Sequence, residues 1–281
     1  MLKRVITSAG ILTATLLLVI FSNYIVYPAA LSLLAVIGIF EVLRVMGLQK
    51  RLVIAIPSYL CAAVFPLLSY FVTAETNLAF ILIIAAAMFA YLLYLMGVSV
   101  FSKGKIPFST ISEVFTTVLY VTVSMTSLSL IRYIDRTVGA FEVALVFGVA
   151  WVCDVFAFLV GSAIGKHKLI PEISPKKTVE GAIGGVVCTA VLCLGYGYAL
   201  DLIIADMVVD YIFLAVIGVV LSIVSQLGDL VASLIKREYG VKDYGKLFPG
   251  HGGVMDRFDS VFAVSTVLLI LCIIFPPFTI V

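Results

Sequence analysis

Nine stretches almost free of charge dominate this chain, near residues 5–22, 26–46, 52–73, 78–99, 109–131, 140–163, 181–203, 207–235 and 255–276. Each is close to the roughly 20 residues a helix needs to cross a bilayer, where lipid offers no hydrogen-bond partners and the backbone must satisfy itself. The rest of the composition agrees, since 63% of the 281 residues are hydrophobic and 12% are charged, against about 25% charged in a soluble domain. The expected fold is therefore all-α, a polytopic membrane bundle of about nine helices. The weakest division is the first, because Ser22-Asn23-Tyr24 and Pro28 alone separate the first two runs. The first run follows Lys3-Arg4 and reads as a retained helix, since no small-residue cleavage site with a polar mature domain follows it.

Nine crossings place the two ends on opposite sides, and lysine and arginine choose between the orientations. With the N-terminus inside, the cytoplasmic side collects 16 of the 18 basic residues, and the other side keeps Arg132 and Arg136 together with Glu75, Asp135, Glu142, Asp201, Asp206 and Asp210. The expected topology is N-in and C-out. The five cysteines all fall in apolar runs without Cys-x-x-Cys spacing, which reads as reduced packing residues.

Residues 1–140 are expected to be scaffold and 141–281 to carry the chemistry. Glu41 and Glu113 are the two carboxylates in or beside apolar runs of the first half. Glu41 has Arg44 three residues on, a helical spacing that predicts a local salt bridge; the role of Glu113 is left open.

Chemistry gathers later in the chain. Asp154 lies inside an apolar run, where an ionised carboxylate is costly, and is expected to face the interior; Gly161 and Gly165 after it form a small-residue face for helix packing. Ser174-Pro175-Lys176-Lys177-Thr178-Val179-Glu180-Gly181 precedes the seventh run. Lys176, Lys177 and Thr178 are expected beside or in a first helical turn, where free N–H groups attract anions. In the eighth run Ser222, Ser225, Gln226, Asp229, Ser233 and Lys236 follow one another at helical spacing, a polar stripe that lipid cannot solvate. Ser222, Ser225 and Gln226 are expected to line the deep wall of a cavity, with Asp229 above them needing a cation.

The densest cluster is Ser233–Asp259, which holds Lys236, Arg237, Lys242, Lys246 and Arg257 with Asp243, Asp256, Asp259, His251 and the Gly252-Gly253 pair. Basic side chains donate charge-assisted bonds to phosphate, adjacent glycines let backbone N–H groups approach an anion, and aspartates spaced three apart at a helix start can hold a hard cation. The order Ser233, Lys236-Arg237, Lys242-Asp243, Gly245, Pro249, His251-Gly252-Gly253, Asp256-Arg257, Asp259 resembles the 27-residue signature of the phosphatidate cytidylyltransferases, or CDP-diacylglycerol synthases. The run from Asp154 to Gly165 and the Ser-Pro-Lys-Lys-Thr string are similar to looser motifs of the same family.

The resemblance implies a Mg²⁺-dependent membrane nucleotidyltransferase that joins CTP and phosphatidic acid. It implies Asp229 and Asp256 as metal ligands, with Asp154 and Asp259 as outer-shell or second-metal groups beside the substrate; a second cation and a homodimer are left open. Lys236, Arg237, His251 and Arg257 become catalytic candidates. Lys176, Lys177, Thr178, Ser233, Lys242, Gly252 and Gly253 become substrate contacts. The expected setting is the cell membrane, with the site facing the cytoplasm and no nucleic-acid partner. Two alternatives remain at this level. One is a related CTP-using transferase or lipid kinase acting on a polyprenol or ether lipid; the other is an ion-coupled transporter using Asp154, Glu113 and Asp229.

Overall fold

A computed structural model describes residues 2–280, and for residues 2–6 and 8 the backbone alone, so Lys3 and Arg4 of the charge asymmetry lie outside the described side chains. The helices are α1 (Leu2–Ile20), α2 (Val26–Val45), α3 (Leu52–Leu68), α4 (Asn77–Phe101), α5 (Phe108–Ile134), α6 (Gly139–Ile164), α7 (Val179–Ile203), α8 (Tyr211–Glu238) and α9 (Met255–Ile274). A tight turn of 3₁₀ helix, Ser69–Phe71, continues α3. Eight of these helices are long and apolar enough to cross a membrane, and α1 contributes the shorter apolar stretch Ala9–Ile20. The protein is thus a polytopic helical membrane protein, as the spacing of apolar runs requires.

The chain forms two compact units, Met1–Asp135 with Asp243–Arg257, and Arg136–Lys242 with Phe258–Val281. In the first, α2 packs on α3 and α5 through buried Leu31, Ala35 and Ile39. The slight break between the first two runs is a real turn, and buried polar groups of α5 hold it. Arg132 Nε donates to Ser22 Oγ at 2.8 Å, its Nη2 meets Asn23 Oδ1, and the Tyr133 hydroxyl donates to the Ser22 carbonyl at 2.9 Å. Arg132 is one of the two basic residues on the charge-poor side, and it is 2% exposed. Its place there is structural.

In the second unit α6, α7 and α8 pack together, and small residues set how closely. A Cβ at Gly181 would stand 2.5 Å from the Ala157 carbonyl oxygen and 3.0 Å from the Gly161 Cα. A Cβ at Gly218 would stand 2.7 Å from the Ala190 Cα. The small-residue face read on α6 is therefore a helix contact.

Four short strands depart from the all-helical expectation. β1 (Lys168–Ile170) pairs antiparallel with β2 (Ser174–Thr178), and β3 (Met207–Val209) pairs with β4 (Phe278–Ile280). Lys176 and Lys177 therefore stand just before the first turn of α7, on a strand of a hairpin. The run expected to begin at residue 207 becomes helical only at Tyr211, because Met207–Val209 joins a strand pair and Asp210 caps the helix, accepting from Phe213 N at 2.9 Å.

Candidate active site

The hairpin and helix starts of the second unit are built so that two lysines face two carboxylates. Thr178 is the N-cap of α7, its hydroxyl accepting from Gly181 N at 3.1 Å. Glu180, in the first turn, reaches back to the backbone N–H of Lys166 at 3.1 Å and to His167 Nδ1 at 2.7 Å. Arg237 Nε, from the end of α8, donates to the Ile173 carbonyl at 3.3 Å. The Ser-Pro-Lys-Lys-Thr-x-Glu-Gly string thus divides its labour: Thr178, Glu180 and Gly181 fix the hairpin on α6 and α7, which leaves Lys176 and Lys177 to project from it.

They project into a cavity of about 270 Å³ lined by Asp154 and Gly161 of α6, Lys176, Lys177 and Thr178 of the hairpin, and Gln226 and Asp229 of α8, among others. Lys177 Nζ lies 2.6 Å from Asp229 Oδ2, with the two side chains 21% and 26% exposed. Opposite charges this close attract strongly, and because the Lys177 Nζ itself is buried, a desolvation cost is set against that gain. Ser233 Oγ stands 3.4 Å from Asp229 Oδ1, one turn further along α8. Asp154, expected to face the interior, is open to the cavity, and its Oδ2 accepts from Ser260 Oγ of α9 at 3.5 Å. Asp259 is 9% exposed and accepts from Ser260 N at 2.9 Å. Asp259, Ser233, Lys236, Arg237 and Lys242 belong to this unit but are not among the residues lining the cavity.

The deep part of the polar stripe on α8 departs from its expected place. Gln226 reaches the cavity, and its Nε2 donates to the Ala182 carbonyl at 3.2 Å. Ser222 turns its hydroxyl onto the Val219 carbonyl at 2.8 Å, while its own carbonyl accepts from Cys153 Sγ. Ser225 is wholly buried, with no hydrogen-bond partner among the described residues. Both serines are wholly buried and absent from the cavity lining, which places them inside a helix contact.

Residues 243–257 of the signature belong to the first unit. Tyr244 N and Gly253 N both donate to Asp256 Oδ2, at 2.7 and 2.9 Å, and the carboxylate is 6% exposed. Gly252 has φ +86°, a left-handed conformation that glycine adopts without strain, and a Cβ there would stand 2.6 Å from Asp256 Oδ2. Phe248 bridges Gly252, and Arg257, exposed, donates through Nε to the His251 carbonyl at 2.8 Å. The Gly253 N–H is thus occupied by a carboxylate of its own loop, where the sequence suggested an incoming anion.

Glu41 is the residue whose place the sequence missed. It was expected to pair with Arg44. Instead its Oε2 accepts from Met255 N at 3.0 Å, while Arg44 donates to the Tyr244 carbonyl and lies over the Phe40 ring. The first N–H groups of a helix lack intrahelical partners, and Glu41 supplies one to α9. A carboxylate in an apolar run was the visible signal; its partner, 214 residues away, was not.

Magnesium prefers hard oxygen ligands and often takes one or two carboxylates, with water and phosphate completing its shell. Among the described residues no three His, Cys, Asp or Glu side chains form a metal cage by themselves. Asp229 and Asp154 on one cavity supply donors of the right kind, and Asp229 already sits against an ammonium group. These residues fit an ion that arrives with a phosphate.

Membrane-length helices around a cavity of lysines and carboxylates define a membrane protein equipped for a polar, anionic ligand. The chain belongs to the Cytidylyltransferase family, which it matches over residues 2–275. It is 39% identical over 179 residues to a phosphatidate cytidylyltransferase of Staphylococcus saprophyticus, covering 64% of this chain and 65% of that protein. It is 39% identical over 189 residues to the protein of that name from Bacillus subtilis strain 168, covering 67% and 68%. With the Staphylococcus aureus strain COL protein, again so named, it shares 40% identity over 178 residues, covering 63% and 65%. The matched part thus spans about two thirds of the length of these relatives.

Proposed function

We propose that the protein is a CTP:phosphatidate cytidylyltransferase of the cell membrane. Family membership and the names of its relatives support the reaction, and the observation that carries it here is the Lys177–Asp229 pair in a cavity that also holds Asp154 and Lys176. In this reading a phosphatidate oxygen attacks the α-phosphorus of CTP. The bond to the oxygen bridging the β-phosphorus breaks, pyrophosphate leaves, and CDP-diacylglycerol remains in the bilayer. The lipid phosphate is itself the nucleophile, so the protein's task is to position two anions and offset their repulsion.

Lys176 and Lys177 are donors to phosphate oxygens, and the hairpin anchors keep them aimed. Lys177 exchanges Asp229 for phosphate as substrate enters. Asp229 would hold Mg²⁺, and the ion would supply charge neutralisation on the triphosphate; the resemblance also names Asp256, whose Oδ2 is here taken up by two backbone N–H groups. Arg237, Lys236, His251 and Arg257 remain candidates for further phosphate contacts. The charge asymmetry supports an N-in arrangement, so that the basic ends of the helices meet the aqueous side where CTP is found.

The test is pyrophosphate release from CTP by the purified protein in detergent, with Mg²⁺ or EDTA and with or without phosphatidate. Release is expected only when CTP, Mg²⁺ and phosphatidate are all present. Turnover that ignores phosphatidate but responds to a polyprenol phosphate would reassign the acceptor.

A further inference from the structure

Glu41 stands on α2, far in sequence from any motif, yet it is 3% exposed and points at the signature loop. Besides accepting from Met255 N, its carboxylate occupies the space that a side chain at Gly245 or Gly253 would need. A Cβ built on either glycine would overlap it, and for Gly253 the three nearest atoms all belong to Glu41. Neither glycine has a positive φ, so their backbones would accept alanine. At Gly253 what excludes a side chain is Glu41, and at Gly245 the Gly253 Cα, 2.8 Å away, excludes one as well. One turn along α2, Arg44 donates to the Tyr244 carbonyl, and the N–H of the same Tyr244 donates to Asp256.

We propose that Glu41 is a positioning residue for the reaction, a carboxylate wedge from α2 that fixes the loop at the first turn of α9, where Asp256 stands, and accounts for glycine at 253. Arg44 is the second point of this clamp. Glu41 fixes the helix start at Met255 and the loop chain at Gly245 and Gly253, while Arg44 fixes Tyr244. Asp256 is then held from both sides, through the N–H groups of Tyr244 and Gly253. Removing the wedge loosens the loop and leaves the membrane helices in place. The consequence for activity rests on the cytidylyltransferase reading above; the consequence for the loop does not.

Two measurements on the full-length protein in detergent separate these. Hydrogen exchange is read over residues 243–256, and kcat and KM are read for CTP. Glu41→Ala should speed exchange at Tyr244, Gly253 and Met255 by at least about tenfold, with α3 to α5 unchanged, and lower kcat by a similar factor while KM changes less than twofold. Glu41→Gln retains an acceptor and the shape, and should recover most of both. Gly253→Ala should be as damaging as Glu41→Ala in the wild-type background, yet add less than about twofold in a Glu41→Ala background, because the methyl group enters the vacated space. Unchanged loop exchange in Glu41→Ala, or fully multiplicative effects in the double variant, would overturn the proposal. If wild type turned over no CTP, the exchange data alone would still decide whether the clamp exists.

Discussion

The cavity of the second unit and the signature loop of the first both use aspartate, but in opposite ways. Asp229 is about a quarter exposed and meets the ammonium of a flexible lysine. Asp256 is nearly buried and meets two fixed backbone N–H groups. A lysine can rotate away and leave its partner to another cation. Amides embedded in a loop cannot. The first arrangement suits exchange of partners during a reaction, and the second suits a rigid shape.

The sharpest break of that comparison is Asp229→Asn. It should lower turnover on the order of 10²-fold or more, the scale of losing a key electrostatic group, with the thermal midpoint in detergent close to wild type. A large fall in midpoint would mean that Asp229 is structural like Asp256. Asp256→Asn should lose activity and also stability, because an amide oxygen in the Oδ2 place accepts from both N–H groups without the negative charge, and hydrogen bonds to a charged group contribute about 1.5–3 kcal/mol against about 0.5–1.5 kcal/mol for neutral ones. Equal midpoints for the two Asn variants would erase the distinction.

Lys177→Ala comes next. Losing one charge-assisted donor of roughly 1.5–3 kcal/mol should raise KM for CTP or phosphatidate by about tenfold or more. Lys176→Ala, at a more exposed position, should change KM only a few-fold, since exposed ion pairs contribute about 0–1 kcal/mol. The reverse order would assign the leading phosphate contact to Lys176. The smallest effect is expected at Ser225, whose hydroxyl has no hydrogen-bond partner among the described residues: Ser225→Ala should leave kcat and midpoint near wild type. Ser225→Leu should lower the midpoint through overpacking, about 1–3 kcal/mol, with little change in activity per folded molecule. A variant that kept its midpoint and lost activity would restore Ser225 to the cavity wall.

The helices were legible because each apolar run must span lipid and must satisfy its own backbone, so length and charge spacing alone locate it. The hairpin Lys168–Thr178 was not legible as strands, since Lys176, Lys177 and Thr178 after Ser-Pro carry no alternating pattern strong enough to distinguish it from a helix start. Lys177 and Asp229 were both visible as candidates, one by its motif and the other by its cost in an apolar run. Their contact was not, because they are 52 positions apart, with the whole of α7 and the reversal into α8 between them.

Glu41 marks the limit most plainly. Helical spacing favoured Arg44 as its partner, and a local pair is all that spacing can propose. What decided otherwise was a third element brought against α2, with an N–H at a helix start that needed an acceptor and two glycines that left room for one. Sequence by itself determined that this is a membrane bundle, which residues are too polar for lipid, and which family they resemble. Only the tertiary structure decided which of those polar residues face an open cavity, which hold a loop in shape and which fill a helix contact, because hydrogen-bond partners and available volume come from elements that are neighbours in space alone.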